Sequence, residues 1–205
     1  MFLSMAPTAS AQQSCGGLGG TVDAAGICRI HEVGTGFERT AAFPVDYPDQ
    51  QAVVESLAQD RDAFVGWVDK FGRGRAYEET VTPTAYRSAR TRSLVLKIVD
   101  PTGFAHEGHP DIRYRTFNYG PDGPITIDTL FGAGSDPVAI LTPVVQRMLK
   151  ACVAALIEPD RGSYRNFAIT DDGVTFFFGE SQLVGNGGPL TVAVPVGDLG
   201  GRLQG

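Results

Sequence analysis

NFAITDDGVTFFF, residues 166–178, sets two apolar runs on either side of Asp171-Asp172-Gly173. An Asp-Gly step between strand-forming runs is a tight-hairpin signal, because glycine takes the positive φ that such a turn requires. Phe177 projects opposite Phe176 and Phe178 in an extended chain, so both faces of this hairpin need apolar cover. TVAVPV at 191–196 reads as a further strand. Upstream, Asp136 followed by Pro137 starts a helix expected to run to about Ile157. Its apolar face is Leu141, Val144, Val145, Met148, Cys152 and Leu156, and Pro143 must either kink it or restart it from Thr142.

Further out, SLVLKIV (93–99) is apolar enough for a central strand, with strand-like residues 76–82 before it and DIRYRTFNY (111–119) beside it. The turn at Asp122-Gly123 leads into ITIDTLF, so the middle third reads as a meander. From Asp49 to Phe71, Val53, Leu57, Phe64, Val68 and Phe71 recur at helical spacing up to Gly72. Asp60 and Arg61 project toward that apolar arc, which predicts an ion pair, at least partly buried, that orients the helix. IHEV and residues 38–45 read as short strands. Runs of strands with two long amphipathic helices packed on a largely antiparallel sheet define an α+β fold.

The 205 residues, 42% hydrophobic and 20% charged, suit one globular domain, expected over residues 12–205. The net charge of −6 gives no overall basic field for nucleic acid, and no apolar run is long enough for a transmembrane segment. Residues 1–11 end in Ala9-Ser10-Ala11, the small-x-small pattern of a signal-peptide remnant. Cys15 and Cys28 bracket GGLGGTVDAAGI, a loop with little core of its own, which predicts a disulfide between them and leaves Cys152 a buried thiol.

Chemistry-bearing motifs are sparse. Ser135 in GAGSD, Ser163 in RGSYR and Ser181 in GESQL lack the flanking glycines of a nucleophile elbow, and all three read as ordinary turn or strand serines. His31, His106 and His109 are the three histidines available to any serine triad. HEGH at 106–109 is one residue short of the zinc signature, and Gly108 and Pro110 oppose the helix that signature needs, so no metal or other cofactor is expected. The loop Thr102 to Asp111 is the candidate partner-binding surface, through His106, Glu107, His109 and Asp111.

YPDQ followed by Arg61-Asp62-x-Phe64, SLVLK, His109-Pro110 before a Tyr-x-x-Phe strand, PIT-x-DTLF, Y-x-NFAIT-DDG-x-x-FFF and a closing VPV occur in order. Together they resemble the mycobacterial secreted immunogenic protein family, which is similar to the extracellular domain of lysozyme-sensing anti-sigma factors. The resemblance covers residues 15 to 198 and implies a secreted or cell-wall-associated α+β protein with no agreed enzymatic activity. It also supports the Cys15–Cys28 pairing. Relatives carry Gly-Gly-x-His-Pro where this chain has Glu107-Gly108-His109-Pro110, and the connection before Tyr164 is shorter here. The expected function is non-enzymatic binding of an unknown host protein or envelope component by a monomer; the alternative is a weak serine-type carboxylesterase acting on short acyl esters.

Overall fold

The computed structural model describes residues 9–101, 110–132, 134–149, 159–183 and 187–199. The chain separates into two compact units, Met1–Pro83 with Leu96–Asp111 and Thr84–Val95 with Ile112–Gly205. A seven-stranded sheet has the order β1 (Thr21–Val22), β2 (Ile27–Gly34), β3 (Phe37–Pro44), β4 (Tyr77–Arg87), β5 (Arg92–Asp100), β6 (Asp111–Gly120), β7 (Gly123–Pro124). The fold is α+β, as the run of strands with few helices requires.

In the first unit, helix α1 (Ala9–Gly17) begins inside the segment assigned to the signal remnant, whose residues 1–8 lie outside the described residues. Its Cys15 is bonded to Cys28 of β2, and both are fully buried. β2 and β3 form an antiparallel hairpin, whereas β3 and β4 are parallel, because α2 (Gln50–Phe71) carries the chain back between them. Asp49 caps α2 rather than forming its first turn: its carboxylate accepts from Ala52 N at 3.2 Å. The buried stripe is Val53, Leu57, Asp60, Phe64 and Val68, so the acid among the apolar positions is indeed inside.

Arg39 and Glu79 are partners in the parallel β3–β4 register, on the face turned toward α2. Both are essentially inaccessible; Arg39 Nε donates to Glu79 Oε1 at 2.5 Å, and Nη2 donates to Leu57 O at 3.3 Å. Burial pushes the Glu79 carboxyl up, Arg39 pulls it down, and the nearby Asp100 and Asp60 push it up again.

In the second unit, β8 (Phe167–Ile169), β9 (Gly173–Phe178) and β10 (Leu190–Pro195) form an antiparallel sheet of order β10-β9-β8. The hairpin pairs Phe167 with Phe176 and Ile169 with Val174. Gly173 is required there, since a Cβ would fall 2.1 Å from Val194 O. Phe176 and Phe178 sink into a cluster with Leu141, Val145, Tyr164 and Phe167. Phe177 points the other way, its ring 5.9 Å from Tyr86 and 5.4 Å from Tyr114, so both faces are covered as the alternation demands.

Two expectations change. ITIDTLF is not a strand: β7 is two residues long, and Thr126 and Thr129 form a reciprocal capping box that starts the short helix α3 (Ile127–Leu130). Helix α4 is Pro137–Met148, capped by Asp136 and running through Pro143 without restarting. Residues 150–158, including Cys152, lie outside the described residues.

Three outcomes follow. Gly20→Ala would set a Cβ 2.7 Å from Cys28 Sγ and 2.9 Å from both Cys15 Sγ and Arg29 O; it should cost about 1–3 kcal/mol in a urea titration. Arg39→Ala should cost about 3–5 kcal/mol, while Arg39→Met with Glu79→Leu recovers most of it, since only the single change strands a buried charge. Glu79 holds its proton more tightly folded than unfolded, so its contribution to stability is full below the ordinary value of 4.5 and declines as pH rises through the raised one. Stability of wild type minus that of Glu79→Gln should therefore slope downward above pH 4.5; an upward slope would mean that the Arg39 pair outweighs desolvation.

Candidate functional site

Of the binding loop expected between Thr102 and Asp111, Pro110 and Asp111 are described: Pro110 is exposed, and Asp111 opens β6 and is buried. His106, Glu107 and His109 lie outside the described residues. The site that the first unit does display is on the sheet face turned away from Arg39 and Glu79.

Alternation along β2 exposes Arg29, His31 and Val33; along β3 it exposes Glu38 and Thr40, and along β4 it exposes Glu78, Thr80 and Thr82. The antiparallel β2–β3 register sets His31 opposite Thr40, and the parallel β3–β4 register sets Thr40 beside Thr80. His31 Nε2 lies 2.9 Å from Glu38 Oε1, with side chains 61% and 53% exposed, and Thr40 Oγ1 donates to Thr80 Oγ1 at 3.4 Å. An open groove of about 540 Å³ runs across this face, lined by Arg29, His31, Thr40, Ala42, Thr80 and Thr82 among others. The arrangement offers a histidine oriented by a carboxylate and a ladder of hydroxyls: hydrogen-bonding capacity on a shallow floor.

The serines divide. Ser163 closes a capping box with Asp160, whose carboxyl is held below its ordinary value by the Ser163 hydroxyl and N–H, and Ser135 donates its N–H to Gly132 O in a turn. Ser181 departs from expectation: it sits at φ 55 in the turn after β9, a left-handed conformation unusual for a side-chain-bearing residue. Its N–H donates to Gly187 O, and those of Gly179, Glu180 and Gln182 are likewise taken by Gln182 Oε1, Ile112 O and Gly179 O. Those four amides are thus committed and point no free donor at an oxyanion. Among the described residues, the hydrogen-bond partner of His31 is a carboxylate rather than a serine. No group of three or more His, Cys, Asp or Glu among the described residues is placed to hold a metal ion.

Arg61 is half-exposed; it binds Glu32 of β2 through two nitrogens, Nε at 2.7 Å and Nη2, and reaches Asp62 at 3.1 Å. Arg61 is thus paired with Glu32 while half-exposed, and Asp60 beside it is inside.

These features define an α+β protein with a disulfide-anchored N-terminal helix and an open polar sheet face. The chain belongs to the mycobacterial immunogenic-protein family. It is 41% identical over 191 residues to a Mycobacterium tuberculosis protein named Esterase Rv3036c, covering 87% of this chain and 83% of that one. It is 34% identical over 202 residues to Immunogenic protein MPB64 of Mycobacterium bovis and to Immunogenic protein MPT64 of M. tuberculosis, covering 92% of this chain and 87% of each. No family profile matches the chain.

The Glu32 carboxyl is lowered mainly by its hydrogen bonds to Arg61, so the pair contributes above the ordinary value of 4.5 and is lost as pH falls through the lowered one. Because the Arg61 side chain is 40% exposed, Arg61→Ala should cost no more than about 1 kcal/mol at neutral pH, measured by thermal melting.

Proposed function

We propose that the protein acts outside the cell, secreted or wall-associated, and works there by binding a host or envelope partner through the groove centred on His31, Thr40 and Thr80. The observation that carries this reading is the open sheet face itself. Three adjacent strands direct hydroxyl, imidazole and charged groups outward over a groove of about 540 Å³. That is a recognition surface of ordinary size. The signal-like start, the disulfide and the likeness to proteins named immunogenic support it. Thr40→Arg should abolish adhesion of the purified protein to envelope fractions or host-cell surfaces without lowering its melting temperature.

A second reading, hydrolysis of short acyl esters, is favoured by the relative named an esterase at 41% identity. Assay on short-chain nitrophenyl esters, beside His31→Ala, His106→Ala, His109→Ala and Ser181→Ala, separates the two. Binding alone predicts that any residual turnover is indifferent to all four changes. A loss of roughly a hundredfold or more in one histidine variant that still folds is what removal of a general base produces, and would establish the esterase instead.

A further inference from the structure

Five of the described arginines are held by acids. Arg29, Arg39, Arg61, Arg147 and Arg161 each hold a carboxylate. Lys70, Arg73 and Arg75 fall within six residues at the end of α2 and are exposed; among the described residues none of them has an acidic partner. The same end carries aromatic rings. Phe71 is 47% exposed, with the Lys70 ammonium 5.1 Å from its ring centre, and Trp67 packs 5.8 Å from Phe71 and edge-on to Tyr77 at 5.1 Å. Lys70 in the last turn also meets the negative end of the helix dipole, which accounts for one cation and leaves the two arginines.

The backbone fixes this cluster in place. Gly72 is right-handed at φ −62, ψ −27, Arg73 is left-handed at φ 47, and Gly74 continues at φ 75. The Gly72 N–H is taken by Val68 O at 2.7 Å, so this turn acts by fixing where the Arg73 and Arg75 side chains leave the backbone. Arg75 N donates to Gly72 O at 2.9 Å, and Tyr77 N donates to Gly36 O at 2.9 Å, tying the turn to the β2–β3 hairpin.

We infer that the Lys70–Arg75 turn, with Phe71 and Trp67, is a docking surface for an acidic polysaccharide, a chain of sugar rings that carries a carboxylate at intervals. Sugar carboxylates would pair with Arg73 and Arg75, and the apolar face of a ring would stack on Phe71. Charge complementarity selects the anion, and the one exposed ring beside the cations selects the kind. Trp67 and Tyr77 are half-buried against each other, so a single ring stands out, too little apolar surface to enter a bilayer. Duplex DNA presents a charge about every 1.7 Å, a density that three cations on a chain of net charge −6 do not match. The surface is separate from the groove around His31 and does not depend on it.

The test is retention of the whole protein on immobilised polygalacturonate. Neutral dextran, duplex DNA and phosphatidylserine vesicles are run in the same buffer, with Lys70→Glu/Arg75→Glu, Phe71→Ala, Arg75→Lys and Thr40→Arg as variants. Binding is expected to polygalacturonate and not to dextran, and to weaken with added salt. The charge-reversal pair and Phe71→Ala should each weaken it by roughly tenfold or more at an unchanged melting temperature, while Arg75→Lys and Thr40→Arg leave most of it. Absence of binding, equal binding to dextran, tighter binding to vesicles or DNA, or retention undiminished by charge reversal would each overturn the assignment.

Discussion

The Arg39–Glu79 pair constrains everything around it in the first unit. A guanidinium and a carboxylate, both removed from water, are tolerable only where register holds them together, and parallel β3 and β4 place them as direct neighbours. The parallel pairing in turn requires a crossover, which α2 supplies, and Arg39 binds that helix through Leu57 O. Strand alternation then has no freedom left. With Arg39 and Glu79 inside, Glu38, Thr40, Glu78 and Thr80 must face out, and the groove is the other side of the same constraint.

The second unit is held by a different kind of interaction. Phe176 and Phe178 fill one side of the hairpin, Phe177 the other, and few polar groups are needed inside. Two of them tie the hairpin to neighbouring strands: Ser93 Oγ accepts from Ile169 N at 3.0 Å, and Asn118 Nδ2 donates to Phe167 O at 3.0 Å. Close packing of aromatic rings tolerates little change in volume, whereas the polar face of the first unit is free to vary.

Local signals made much of this fold legible. The Asp-Asp-Gly turn, the helical stripe from Val53 to Val68, the Asp136-Pro137 start and the cysteine-bounded glycine loop each depend on interactions within a few residues or on a simple period. The readings that changed were those in which such signals competed. ITIDTLF has strand-like alternation, but Pro124 lacks an N–H to extend a ladder and Thr126 with Thr129 caps a helix, so the helix forms. Ser181 looked like an ordinary turn residue because nothing in GESQL specifies a left-handed φ; that comes from amides anchored to Ile112 and Gly187.

By itself the sequence determined the fold class, the two principal helices, the disulfide and the polar character of alternate positions on β2, β3 and β4, since these follow from periodicity, composition and turn chemistry. Only the tertiary structure decided that β3 and β4 lie parallel, that Glu79 rather than another acid meets Arg39, and that His31, Thr40 and Thr80 share a face. It also decided that Asp60 is inside while Arg61 reaches across to Glu32. The reason is physical: partners 29 or 40 residues apart are chosen by which strands become neighbours, and that choice minimises buried unpaired charge over the whole unit. No local pattern carries it.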